Sequence, residues 1–237
     1  MIDKVSQERV LDIVIPAYNE FENLCLLLPI LKRGLAKDSI NVIVVDSSRS
    51  NDGTPQLCIE HQVHYLQSSY TQRSQQLNAG ARLGTSEVIM FLHADVIPPE
   101  DFYEQIFETV DAGIQAGFFS YQFRDKRIML KLNAYFTRFD GFFAGGGDQC
   151  HFFTRDCFNK LGGYDNDALI MEDYELFDRV RALAIPYQLI RSDAQVSSRK
   201  YENNSYLKVN LVNLITFVKY RLGSDPRSLK ESYEYWL

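Results

Sequence analysis

His93 and Asp95 stand one small residue apart, directly after an apolar run, in VIMFLHADVIPP. An imidazole and a carboxylate at that spacing suit a divalent cation and the phosphates it carries. The run before them, residues 88–92, reads as a short buried strand, and in open α/β sheets ligands gather just beyond the carboxyl ends of strands. The plainer reading is that Asp95 caps the helix that follows and His93 bonds nearby backbone. Two more strand ends are polar in the same way. Residues 11–16 lead into Tyr18-Asn19-Glu20, and residues 41–45 lead into Asp46 and a run of turn formers from Ser47 to Thr54. Parallel order would bring all three clusters to one edge of a sheet. Gly145-Gly146-Gly147-Asp148-Gln149 allows close approach of backbone to a ligand, or positive φ. Glu172-Asp173 opens a helical pattern, where acids also serve the helix dipole.

The elements that must position these groups follow from periodicity. A helix over 22–35 carries Leu24, Leu27, Leu28 and Leu31 at helical spacing, with Pro29 inside it as a source of a kink. Helices over 55–61 and 72–83, the second opening at Arg73, alternate with strands at 63–66 and 88–92. This alternation predicts βαβ units and a parallel sheet. Beyond Pro99 the pattern predicts a helix over 102–110, a strand over 116–123, and an aromatic helix over 131–143. Its rings, Tyr135, Phe136, Phe139, Phe142 and Phe143, suit core or interface packing better than an acceptor platform. A strand over 150–154 and a helix over 156–161 follow. Next comes a helix over 174–184, with Leu176, Val180 and Leu183 on its apolar face. Strands at 187–190 and 195–197, a helix over 206–222 and an exposed tail, SLKESYEYWL, complete the chain. No repeat or linker divides it, so one domain over 1–237 is expected: a nucleotide-binding half to about 99, an acceptor half to about 205, then the last helix and tail.

Composition narrows the classes. The 237 residues are 46% hydrophobic and 24% charged, which is ordinary globular composition with ample chain for a core. A net charge of −6 argues against a nucleic-acid binder, which would show a basic footprint. Neither a GxGxxG nor a GxxxxGK[ST] fingerprint occurs. Cys25, Cys58, Cys150 and Cys157 form no CxxC pair, so neither a disulfide framework nor a zinc site is expected. The polar start, MIDKVSQERV, does not read as a signal peptide, and no apolar run would cross a bilayer. A reducing, cytoplasmic setting fits. The 206–222 helix has a broad apolar face with Lys208, Lys219 and Arg221. It suits packing on the protein, on a second copy as a homodimer, or peripherally on a membrane, and Asn210 and Asn213 in its stripe favour the first.

Six ordered pieces resemble glycosyltransferase family 2 over about 11–199: IVIPAYNE-x-ENL, VVDSSRSNDGT, QLNAGARLG, FLHADVIPP, the GGxDQ…LGGYD stretch and MEDYELFDRV. The GDQ and SSRKY residues most resemble a small cytosolic subgroup, the arsenosugar-biosynthesis-type or radical-SAM-associated glycosyltransferases. The resemblance implies a GT-A fold, with a Rossmann-like, mostly parallel central sheet flanked by helices. It implies a nucleotide-diphosphate sugar donor, a hydroxyl acceptor, a divalent cation (Mn2+ or Mg2+) and inversion at the anomeric carbon. By position, Pro16, Tyr18 and Glu20 would line the nucleoside pocket, and Asp46 and Ser48 would contact base and ribose. Arg73 and Asn78 would lie near the base or diphosphate, and Arg199 would reach phosphate. Asp95 matches the last carboxylate of the family's metal motif. His93 stands in place of the first, and would bond ribose or phosphate. Asp173, with Glu172 beside it, matches the catalytic base, and Asp148 and Gln149 fall where acceptor or sugar hydroxyls are held. Two other readings stay open. A nucleotidyltransferase on a similar sheet would show a glycine- and basic-rich loop that residues 17–21 lack. A non-catalytic nucleotide-sugar binder is kept open by His93 in the metal motif.

Overall fold

The computed structural model describes residues 9–33, 35, 39–141 and 144–237. Four parallel strands, β1 (Leu11–Ala17), β2 (Ile40–Ser47), β3 (His64–Ser68) and β4 (Val88–Phe91), lie in the order β3-β2-β1-β4. Helices α1 (Phe21–Leu31), α2 (Thr54–Glu60) and α3 (Arg73–Leu83) connect them. β1, β2 and β4 are nearly continuous apolar runs because helices cover both faces, whereas the edge strand β3 is partly exposed. On one face Leu11, Ile13 and Ile15 meet Leu24, Leu27, Leu28 and Leu31 of α1. On the other, Val14, Ile43 and Val45 meet Leu77 and Ala81 of α3. Gly80 lets α3 lie close against the sheet, since a Cβ there would collide with Val14.

The same sheet continues through the second half of the chain, in the order β4-β7-β6-β8-β5, to give eight strands among the described residues. These are β5 (Val96–Ile97), β6 (Ala116–Phe123), β7 (His151–Thr154) and β8 (Tyr187–Val196), with α4 (Phe102–Asp111), α5 (Ile128–Phe136), α6 (Arg155–Leu161) and α7 (Glu172–Ala182) packed around them. β7 runs antiparallel to β4, so His151 at its start lies beside Phe91 at the end of β4. That one reversal carries Asp148 to the edge where His93 and Asp95 emerge. Asp12 of β1 is fully buried; it pairs with Arg155 of α6 at 2.5 Å and accepts hydrogen bonds from Asn41 and Ser86.

Several expectations need correction. α1 ends at Leu31 rather than 35, with Pro29 accommodated inside it; Gly34 lies outside the described residues. The aromatic helix is α5, Ile128–Phe136, so it starts and ends earlier than the rings suggest. Tyr135, Phe136 and Phe139 are exposed rather than core residues, and Phe142 and Phe143 lie outside the described residues. Leu183 falls just past the end of α7 and is exposed. The two short strands near 187–197 are one strand, β8. Its register against β6 shifts between Phe119, opposite Ile190, and Ser120, opposite Asp193. The bulge interrupts the alternation that a single strand would show. β5, only two residues long, carries too little pattern to be read. The expected tail is a helix, α9 (Pro226–Trp236), which packs on α8 (Tyr206–Arg221) and buries Leu229. Asp225 accepts from the Ser228 N–H and Pro226 follows it, which is a sound helix start. Among the described residues, no helix is long and apolar enough to cross a membrane.

Candidate active site

The loops after β1 and β2 are laced together. Asn19 N–H donates to Ser50 Oγ at 2.8 Å, Asn51 N–H to Asn19 Oδ1 at 2.9 Å, and Phe21 N–H to Asp52 Oδ2 at 3.1 Å. Gln76 of α3 donates from Nε2 to both Ala17 O and Val45 O, each at 3.0 Å, and so ties the two strand ends together from below. Register sets Ala17 beside Asp46. Asp46 is buried, takes one bond from Tyr65 Oη at 3.3 Å, and leaves Oδ1 without a protein partner. Burial pushes its carboxyl above the usual range. This leaves a buried acceptor open near half-buried Pro16 and exposed Tyr18, able to take a hydrogen bond from a ligand. Ser48 is exposed at the rim. Glu20 accepts from Asn23 and, at 3.3 Å, from Arg199. Arg199 therefore bridges the first loop to the turn after β8.

Across the sheet edge a second cluster assembles from four parts of the chain. His93, at the end of β4, has Nδ1 3.4 Å from Asp148 Oδ1 and Nε2 3.4 Å from Arg73 Nη1. Arg73, at the start of α3, has Nε 3.4 Å from Glu172 Oε1. Glu172 and Asp173 open α7 and are both buried, after Met171 takes the left-handed conformation at φ 64°. Gly147 is the close approach in this cluster. A Cβ there would collide with Asp173 Oδ2 and lie 2.6 Å from His93 Cε1. Arg73 thus sits among Glu172, Asp173, Asp148 and Asp95, whose charges hold its guanidinium above even its ordinary range.

The charges of the cluster set its protonation. Burial, then the neighbouring Glu172, push Asp173 up to about 7, against the pull of His93 and Arg73. Asp148 is desolvated, yet the His93 bond and the Lys200 charge hold it well below the usual carboxylate range. For His93, burial and Arg73 push downward, and Asp148 and Asp173 overcome them, so it lies above its ordinary value. His151, 1% exposed, lies 3.7 Å from Asp173 and is pushed down to about 3 by burial and by His93, so it stays neutral. It packs edge-on against Phe118, Phe153 and Phe177.

Two expected contact residues are occupied otherwise. Asn78 gives both amide hydrogens to the turn after α6, to Tyr164 O at 2.8 Å and Asn166 Oδ1 at 2.9 Å. Gln149 accepts from Gly145 N–H and Gly146 N–H and donates to Phe119 O, which fixes the glycine loop. Both position the site rather than present free polar groups to it. Lys200, next to Arg199 in the sequence, is the basic residue whose charge reaches Asp148, Asp95 and Arg73. The basic pair was legible in SSRKY; which member faces the carboxylates depends on the turn after β8. His151 gave no signal of its own, because an apolar strand does not reveal what folds against it; the glycine run signalled a close approach at Gly147 but not that Asp173 and His93 would be the groups it meets.

A divalent ion that arrives with a diphosphate takes most of its ligands from phosphate and water, and needs one or two protein carboxylates. Asp95, which has no ion pair among the described residues, meets that need, with Asp148 and His93 nearby. Among the described residues no cluster of three or more His, Cys, Asp or Glu side chains could hold a metal unaided. Asp95 and Asp148 could therefore contribute carboxylate ligands to an ion that brings its remaining ligands with it.

A parallel sheet with polar strand ends, extended by an antiparallel strand that brings a glycine-Asp loop and a buried carboxylate to the same edge, defines the GT-A architecture. The sequence model for glycosyl transferase family 2 matches residues 12–169, and the chain belongs to that family. Among solved structures it is similar to S. aureus TarS (TM-score 0.68, 12% identity), covering 96% of this chain and 42% of that one. TarS residues 1–349 in complex with UDP give a TM-score of 0.65 at 12% identity, covering 96% of this chain and 70% of that one. The mannosyltransferase PcManGT from Pyrobaculum calidifontis, in complex with GDP-Man and Mn2+, gives 0.63 at 18% identity, covering 94% and 68%. The chain thus spans less than half the length of full TarS. No curated protein matches it by sequence.

Proposed function

We propose that this protein transfers a glycosyl group from a nucleoside-diphosphate sugar to a hydroxyl acceptor, with inversion, using Asp173 as general base. The observation that carries the reading is Asp173 itself: a buried carboxyl, raised to about 7, across Gly147 from His93 and within the field of Arg73. A base must be weakly acidic enough to take a proton near neutrality and must sit where solvent does not outcompete the acceptor. The acceptor oxygen bonds to the anomeric carbon from the side of Asp173 as the bond from that carbon to the diphosphate oxygen breaks. The acceptor proton passes to Asp173, and the electron pair leaves with the diphosphate. Attack in a single step from the side opposite the leaving group gives inversion.

Arg73, His93 and Lys200 supply positive charge and donors on the diphosphate side, where charge develops as the bond breaks. A divalent cation held by Asp95 would, when bound, act there as a Lewis acid. The nucleoside would lie over Pro16 and Tyr18, against the open oxygen of Asp46. Relatives of the same fold solved with UDP and with GDP-Man support a nucleoside-diphosphate donor. The GDQ and SSRKY residues support the small cytosolic subgroup. One sheet running through both halves supports a single domain over 1–237.

The test is Asp173→Asn. It should cut transfer, or slow donor hydrolysis, by about 10²–10⁴-fold, while calorimetry shows nucleotide binding retained. Retained activity removes Asp173 as the base. Binding of nucleotide sugars with no turnover in the native protein would make it a binder rather than an enzyme.

A further inference from the structure

α5 and α8 stand side by side, joined by Asn133 Nδ2 to Asn210 Oδ1 at 2.7 Å and by Tyr206 Oη to Asn133 Oδ1 at 3.0 Å. α8 carries apolar residues on two faces. Val209, Val212 and Phe217 are buried against the protein, while Leu207, Leu211, Leu214 and Val218 form a second stripe open to solvent, with Leu207 75% exposed. Beside them α5 exposes Ile128, at 81%, with Leu132 and Phe136. A helix with apolar residues on both faces is either covered on both or lies at an apolar boundary. Exposed apolar patches of this extent mark interaction sites.

The charges on this surface identify the occupant. Residues 126–139 and 206–222 contain no Asp or Glu, in a chain whose net charge is −6. They carry four lysines, Lys126, Lys131, Lys208 and Lys219, all exposed. None of the four forms an ion pair among the described residues. Leucines and aromatic rings flanked by lysines, with no acid within either segment, complement an anionic lipid surface; Asp125 and Asp140, which bound the α5 segment, are paired with Arg127 and Arg181. A two-fold dimer through the same face would set lysines against lysines with no carboxylate from either helix between them.

We propose that the α5–α8 face docks this protein peripherally on an anionic membrane surface, with Leu207, Leu211, Leu214 and the α5 side chains in the headgroup boundary. The docked edge adjoins the catalytic cleft: Arg124, just before α5, donates to Asp95 O at 2.8 Å, and Arg127 donates to Tyr201 O, next to Lys200. The cleft therefore opens close to the lipid surface.

Flotation of the full chain with phosphatidylcholine vesicles, with and without phosphatidylserine, tests this. Binding should need phosphatidylserine, weaken with salt, and fall about fivefold for each of Lys208→Gln and Lys219→Gln. Leu211→Asp with Leu214→Asp should abolish it, with the melting temperature and nucleotide binding unchanged; both side chains are exposed, so the fold does not depend on them. The lysine variants carry the test should the aspartates unfold the protein. No binding to either vesicle, or binding that none of these variants weakens, overturns the proposal. So does a dimer in solution that Leu211→Asp dissociates, which would give the face to a second copy.

Discussion

At Asp173 three causes meet: burial, a neighbouring carboxylate and the field of Arg73. Only the ionised form accepts a proton, so kcat should rise with pH through about 7 and level off above it. A profile flat across neutrality contradicts the assignment. The same shift has a sign for stability. The folded carboxyl holds its proton to higher pH than the unfolded chain does, so the stability it contributes is lost as pH rises through the folded value of about 7. Asp173→Asn should therefore melt higher than the native protein above neutrality and nearly level with it in acid, as thermal melts at the two pH values would show. Gly147→Ala is a sharper probe of the cleft. Its backbone lies outside the left-handed region, so the methyl strains nothing locally, yet it would displace Asp173 and His93. A loss of about a hundredfold in kcat with little change in melting temperature is expected. His93, Asp95, Asp148 and Asp173 were all legible as residues able to do chemistry. Asn78 and Gln149 were legible only as polar; that their amides hold turns in place is a fact of distant backbone.

At the scale of elements, the packing of α3 on the sheet sets the distance between Arg73 and the strand ends. Gly80→Ala would press a methyl onto Val14 and close on Val45. Overpacking of this kind costs about 1–3 kcal/mol, measurable as a lower urea midpoint at unchanged slope; an unchanged midpoint would mean that α3 has room to shift. β1, β2 and β4 read well from sequence because they are covered on both faces and are almost wholly apolar. β8 did not, since its bulge breaks the period, and α9 did not, since its apolar residues find a partner only on α8. The rings of α5 read as core or interface packing; Tyr135, Phe136 and Phe139 are exposed, which rules out the core, because aromatic content says nothing about which neighbour arrives.

For the whole molecule, the antiparallel entry of β7 beside β4 joins the two halves. Arg155 clamps that junction onto fully buried Asp12, whose carboxylate also takes bonds from Asn41 and Ser86. Arg155→Leu strands a buried charge and should cost about 3 kcal/mol. Chemical denaturation should still give one transition, as befits a single sheet; two resolved transitions would separate the halves.

The sequence by itself determined the alternating strands and helices of the first half, the polar strand ends and which carboxylates are candidates for chemistry, because periodicity and strand-end chemistry are local. Tertiary structure alone decided which of them meet. Arg73 beside Glu172 and neutral His151 against Asp173 follow from one helix start and one strand reversal, and the charge of Lys200 on Asp148 follows from the turn after β8, contacts between residues that lie far apart along the chain.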